Sequence, residues 1–287
     1  MGQGLTQRSA DAKNLFAEAS EILGFDLLKL CLEGPVEELN RTEYSQPALF
    51  VHSYAALKDL EALRPQLWSS VTAVAGLSLG EYTAVAAAGG ITFADGVRLV
   101  QARGRAMQAA AVATPSGMSS VLGLTTEQLD EACQKATQGP SSFVQLANLL
   151  CPGNIAISGH LDALARAEEL STAAGAIKAI RLPVAGAFHT AIMQSAVELL
   201  IEALSKVTFQ ETRVPVYSNV DAQPHKTAAD FVTLLPQQVV SPVLWEKSLT
   251  ELIASGVEQF IEIGAGRVLA GTLKRVNRKV TCENIGD

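Results

Sequence analysis

The chain is poor in the residue types that mark several protein classes. Aromatic side chains make up 5% of its 287 residues and charged ones 18%. Lys plus Arg number 22 against 29 Asp plus Glu, a net charge of -7. So acidic a chain is not expected to bind nucleic acid or an anionic membrane through its overall field, which leaves only a local basic patch. The four cysteines (Cys31, Cys133, Cys151, Cys282) are scattered, with no C-x-x-C, and the four histidines do not cluster. Neither a metal site nor a disulfide framework is expected, and the chain reads as a reduced, cytoplasmic protein. No apolar run reaches the length of a membrane span, and the opening MGQGLTQRSADAKNLF has no apolar core of signal-peptide type. Repeats and low-complexity segments are also missing. What is abundant is apolar residue, 48% of the chain, enough for a sizeable core in one large domain or two smaller ones.

Apolar spacing predicts helices over 10–23, from about 47, over 81–88, 94–111, 191–205, 228–237 and 243–255, and a last one carrying Lys274, Arg275 and Arg278. Short apolar, partly β-branched runs at 71–75, 214–218 and 260–263 suit buried parallel strands. Between them the pattern changes. Strands are expected at 118–123, 143–147, 154–158 and 176–182, with helices over 125–136 and 161–174, the first opened by a Thr125/Gln128 capping box. That β-α-β-β-α-β order is the ferredoxin-like split pattern. The expected class is therefore α/β: a discontinuous parallel-sheet domain, 1–113 plus 184–287, with a small subdomain, 114–183, inserted. Three confident strands are few for the larger sheet.

The strongest motif is Gly76-Leu77-Ser78-Leu79-Gly80, a G-x-S-x-G between a strand and a helix. In that context Ser78 is presented at the carboxyl end of the strand, and the Leu79 N–H is placed to receive an oxyanion. The plainer alternative is a glycine-rich turn with an ordinary serine. A serine nucleophile needs a base. Of the four histidines, His189 lies in a small-residue loop entering a helix, where its neutral form is favoured. His52 sits in a helical pattern, His160 in a turn of the small subdomain and His225 in a polar loop. Arg103 falls in the middle of the apolar face of its helix, so its charge must be paired. A salt bridge to Glu81 and a fork for a substrate carboxylate are both consistent with that position.

The segment GLSLGEYTAVAAAGGITFADGVRLVQARGRAMQ, together with GAFH, resembles the malonyl-CoA:acyl-carrier-protein transacylases. The likeness extends through SEILGFDLLKLCLEGPVEELNRTEYSQPALF, PVYSNVDA, SPVLWEKSL and IEIGAGRVLAGTLKR, essentially the whole chain. The resemblance implies an α/β-hydrolase-like domain with a ferredoxin-like insert, and ping-pong malonyl transfer from malonyl-CoA to acyl carrier protein, for fatty-acid or polyketide synthesis. It implies that Ser78 carries the malonyl ester, His189 is base and then acid, and Arg103 clamps the malonyl carboxylate. The backbone carbonyl at Gln238 would orient the histidine, and Phe188 would narrow the space beside C2. No cofactor is implied, since CoA thioester and carrier protein are substrates. A monomer is expected, with Lys274, Arg275, Arg278 and Lys279 as candidates for meeting the acidic carrier.

Three departures from the family pattern stand out. Leu77 replaces a usual histidine, and Leu150 a common asparagine. Gly2-Gln3-Gly4 imitates the family's G-Q-G oxyanion loop, but ungapped matching places that loop before Met1, so the expectation is a chain lacking the family's first strand. Two other readings follow: a truncated, inactive homologue serving as a binding or scaffold protein, and a serine esterase with no role for Arg103.

Overall fold

The computed structural model describes residues 1–286. Its strands are β1 (Val74–Ala75), β2 (Ser116–Leu122), β3 (Val144–Cys151), β4 (Asn154–His160), β5 (Lys178–Arg181), β6 (Val216–Tyr217), β7 (Pro224–His225), β8 (Gln259–Ile263) and β9 (Thr281–Ile285). β2 to β5 form one antiparallel sheet in the order β3-β4-β2-β5, and with the helices Thr126–Ala136 and Leu161–Ala173 they make a ferredoxin-like β-α-β-β-α-β layer. The capping box is present, with the Thr125 hydroxyl accepting from the Gln128 amide and the Gln128 side chain accepting from the Thr125 amide. Val121, Leu129, Ile155, Ile157 and Leu164 form its own buried core.

The remaining strands fall into two small sheets rather than one. β1 pairs in parallel with β6, which pairs antiparallel with β7. β8 pairs in parallel with β9, a strand that sequence spacing does not reveal because Thr281–Ile285 carries Glu283 and Asn284 side by side and so lacks both an apolar run and a clean alternation. The expected strand over 71–75 is reduced to its last two residues, half-buried rather than enclosed. Helices supply most of the large core, which joins Phe16, Phe50, Tyr82, Val97, Val100, Met107 and Phe231.

Two helices position the site. The helix expected from about 47 begins at Thr42 and runs to Leu63, with Pro47 inside it. Pro47 sits early enough that its ring removes a single intrahelical bond while fixing a helix-compatible φ. Against it lies the helix Phe93–Ala113, close enough that a Cβ on Gly104 would stand 2.7 Å from the Thr42 carbonyl oxygen. That approach sets Arg103, the residue before Gly104, face to face with Gln46. The ferredoxin-like layer is tied on by two backbone bonds, Val243 N–H to the Ala147 carbonyl (2.8 Å) and Leu149 N–H to the Val243 carbonyl (2.9 Å). At the amino end, Gly2-Gln3-Gly4 is no loop: Gln3 opens the short helix Gln3–Arg8, and Gly2 packs beside Phe16.

Candidate active site

Ser78 lies between β1 and the helix Leu79–Ala87 with φ 50° and ψ -102°, a conformation that non-glycine residues rarely adopt. The turn is tight at Gly76, where a Cβ would come within 2.0 Å of the Gly80 carbonyl; a Cβ on Gly80 would meet nothing. Only the first glycine of the motif is thus demanded by space. Leu79 is the first residue of its helix, so its N–H has no intrahelical acceptor and remains available at the carboxyl end of β1.

Three side chains converge on this serine. The Ser78 Oγ lies 2.9 Å from His189 Nε2, and Arg103 Nη2 donates to the same oxygen at 3.0 Å. His189 is buried, and its Nδ1–H donates to the Gln238 carbonyl at 2.8 Å, which assigns Nε2 as the proton acceptor. Burial first, and then the Arg103 charge, lower the His189 pKa to about 4. The neutral imidazole therefore follows from desolvation and a neighbouring cation; a position near a helix N-terminus, the signal available in sequence, is not the main cause.

Arg103 is 1% exposed, with its guanidinium 5.2 Å from the Tyr82 ring centroid. Nη1 donates to Gln46 Oε1 at 2.8 Å and Nη2 donates to Gln238 Oε1 at 2.9 Å. Among the described residues no carboxylate pairs with it directly. Gln238 stands between Arg103 and Glu81, its Nε2 donating to Glu81 Oε2 at 2.5 Å and to the Ser78 carbonyl at 3.0 Å. Nε of Arg103 is buried and makes no hydrogen bond among the described residues. Among the described residues the guanidinium thus has one spare donor and no direct counter-ion. Burial lowers its pKa, opposed by Tyr82 and Glu81. Burial also raises Glu81 to about 7, held back by Gln238, Asn219 and Ser218.

Gln238 contributes more than a backbone carbonyl, since its side chain links Arg103, Glu81 and Ser78. Phe188, half-buried beside His189, packs against the Met118, Ala147 and Ala156 cluster and the large core. Leu77 packs toward the Val243 and Trp245 cluster, and Leu150 lies half-buried in β3. The other histidines lie outside the cluster. His52 is fully buried, His160 stacks edge-on against Phe143 (4.9 Å), and His225 bonds Asp221 at 2.9 Å.

Sequence reasoning missed Gln46 and Asn219. Asn219, fully buried, bonds both sides of the serine turn. The available signals were weak: a polar residue just before Pro47, and another directly after a short apolar strand. No group of three or more His, Cys, Asp or Glu residues that could hold a metal ion occurs among the described residues, and no helix there is long and apolar enough to cross a membrane.

Comparisons with known proteins match this arrangement to one family. The model of the acyl transferase domain matches residues 1–285. The chain is 42% identical over 289 residues to the malonyl CoA-acyl carrier protein transacylase of Bacillus subtilis, covering 100% of this chain and 89% of that protein. It is 40% identical to the mitochondrial malonyl-CoA-acyl carrier protein transacylase of Homo sapiens, covering 96% of this chain and 73% of the relative. Among solved structures, an acyl carrier protein S-malonyltransferase from Vibrio cholerae superposes with a TM-score of 0.93 at 38% identity, covering 99% of this chain and 91% of the other. A malonyl-transacylase in complex with its type II PKS acyl-carrier protein superposes at 0.95 and 36% identity, covering 100% and 91%.

Proposed function

The chain belongs to the acyl transferase domain family, and from that premise we propose that it moves the malonyl group of malonyl-CoA onto the phosphopantetheine thiol of an acyl carrier protein. The observation that carries this reading is Arg103: a buried guanidinium on the nucleophile's hydroxyl, with no direct carboxylate partner and a spare Nε donor. A neutral ester would leave that donor unsatisfied and the charge unpaired, which disfavours an esterase. A malonyl thioester carries a free carboxylate one methylene away from the reacting carbonyl, the separation needed for the carboxylate to reach Arg103 while the carbonyl meets Ser78.

The steps then follow. Ser78 Oγ attacks the thioester carbonyl as its proton passes to His189 Nε2, and the Leu79 N–H receives the developing oxyanion. Collapse expels the CoA sulfur, which takes the proton from His189, leaving a malonyl-Ser78 ester. The carrier's thiol, deprotonated by His189, attacks the ester and regenerates the serine hydroxyl. The Gln238 carbonyl holds the imidazole in the required tautomer throughout. Because Arg103 is one cause of the low His189 basicity, a substrate carboxylate that pairs with Arg103 also relieves the opposition to an imidazolium. Malonyl binding thereby strengthens the base that its own transfer requires.

Phe188, next to the base, would crowd a branch at C2. The exposed Lys274, Arg275, Arg278 and Lys279 offer an acidic carrier a basic face. The site is complete within one chain, which suits a monomer, and the reaction needs no cofactor beyond its two substrates, the CoA thioester and the carrier's thiol. Four free cysteines, three of them buried, favour the cytoplasm as compartment. We take 114–183 as the inserted subdomain and 1–113 with 184–287 as the catalytic one.

The test is transfer itself. Incubated with malonyl-CoA and a phosphopantetheinylated acyl carrier protein, the chain should raise the carrier's mass by one malonyl group, and Ser78→Ala should not. A malonylated carrier in the presence of Ser78→Ala at the parent's rate would refute the reading.

A further inference from the structure

The strained serine turn must be held by its surroundings. A residue at φ 50° and ψ -102° is kept there only where neighbouring contacts over-determine it. Here the backbone on both sides of the turn is held by one side chain. Asn219 Oδ1 accepts the Ser78 N–H at 2.6 Å, and Asn219 Nδ2 donates to the Gly76 carbonyl at 2.8 Å. A single planar amide thus spans the turn, matching one donor and one acceptor that a tight strand-to-helix elbow leaves without strand or helix partners.

Asn219 is itself fixed. It follows β6, the parallel neighbour of β1, so it arrives at the same carboxyl end as Ser78. Its N–H donates to Glu81 Oε2 at 3.2 Å, its carbonyl accepts from Leu244 N–H at 2.9 Å, and it is fully buried. Glu81 meanwhile accepts from Gln238, whose carbonyl orients His189. The nucleophile's turn and the base's acceptor are therefore anchored to one carboxylate.

We propose that Asn219 is a positioning residue for the nucleophile: its amide clamps Gly76 and Ser78 so that Oγ faces His189 and the Leu79 N–H, not the Ser78 N–H, is left for the oxyanion. This rests on Ser78 being the acylated residue. Neither aspartate nor serine can replace the clamp. Aspartate sets an oxygen against the Gly76 carbonyl, and serine satisfies one end only. Arg103 bonds the Ser78 hydroxyl but neither Asn219 nor the backbone groups that Asn219 holds, and its own anchors are Gln46 and Gln238, so thioester binding should be spared while the chemical step suffers.

The experiment compares parent, Ser78→Ala, Asn219→Asp and Asn219→Ser in rapid-quench acylation by malonyl-CoA, read by intact mass over a range of concentrations, with a thermal melt of each. The expected result is an acylation rate constant lower by about 10²-fold in the Asn219 variants, the cost of a small misplacement of reacting groups, with half-saturation within about threefold of the parent. Unchanged rates in a folded variant would overturn the proposal, as would rate and half-saturation worsening together. Loss of the fold in both variants would assign Asn219 to stability alone and overturn it too. A parent that does not acylate at Ser78 would instead refute the underlying reading of the site.

Discussion

In the ferredoxin-like layer between β2 and β5, the strand pairings stay within one continuous segment of the chain, even where Ser119 meets Arg181, whereas the corner around Ser78 gathers Gln46, Ser78, Glu81, Arg103, His189, Asn219 and Gln238 from across the chain. β3 and β4 pair as a hairpin with Cys151 opposite Asn154, and the Thr125–Gln128 cap spans three residues. By contrast, Ser78 bonds His189 across 111 residues, Asn219 across 141 and Gln238 across 160. The charges differ in the same way. In the layer they form exposed pairs such as Lys135 with Glu131, each more than 60% exposed and therefore screened by solvent. At the corner they are desolvated, so each bond changes the chemistry of its neighbour. The layer holds its shape with a capping box and antiparallel strand pairs, while the corner holds conformational strain at Ser78 and His189, both at positive φ. The two regions should therefore fail differently when mutated.

The sharpest break in that comparison is at the base. His189→Ala should lower malonyl transfer by about 10²–10⁴-fold, the usual contribution of a positioned general base, with the melting temperature little changed. Stopped-flow acylation alongside a thermal melt checks it. A smaller effect concerns pH. If His189 is the base proposed above, its neutral form is the competent one, so activity is present above its pKa and lost as pH falls through it. With that pKa lowered to about 4, kcat/KM for malonyl-CoA should stay flat from about pH 6.5 down to 5, where an ordinary histidine would already have titrated. In Arg103→Ala the inflection should rise part of the way toward the ordinary value, because burial, the larger cause, remains. A parent inflection near pH 6.5 would contradict the assignment. The smallest effect on transfer lies in the other region. Thr125→Ala removes a cap worth about 0.5–2 kcal/mol, so calorimetry should show a lower melting temperature and the transfer assay no change.

The same division explains what could be read in advance. The layer was legible because a capping box and a short hairpin are local signals. Ser78 was legible because strand, glycine, serine and helix adjoin one another. Arg103 drew notice as a cation on an apolar helix face, yet its expected partner, Glu81, proved to be reached only through the amide of Gln238. His189 was found through its loop, but the reason for its neutrality lies in burial beside Arg103, which no spacing encodes. Gln46 and Asn219 carried no local mark, since each gains its meaning from a helix crossing or a strand pairing far away in sequence. Pro47 misplaced a helix start for the opposite reason: a strong local signal was overridden by the packing of Phe50, Val51 and Ala55 into the core.

Arg103, on this proposal, reads a carboxylate for the sake of Ser78. Its most direct test exposes the parent and Arg103→Ala briefly to an equal mixture of malonyl-, methylmalonyl- and acetyl-CoA, then weighs each intact protein. The account predicts one malonyl adduct on the parent and loss of the malonyl preference in Arg103→Ala, with acetyl taken at least as readily. A variant that still prefers malonyl, or a parent that accepts acetyl equally, would contradict it.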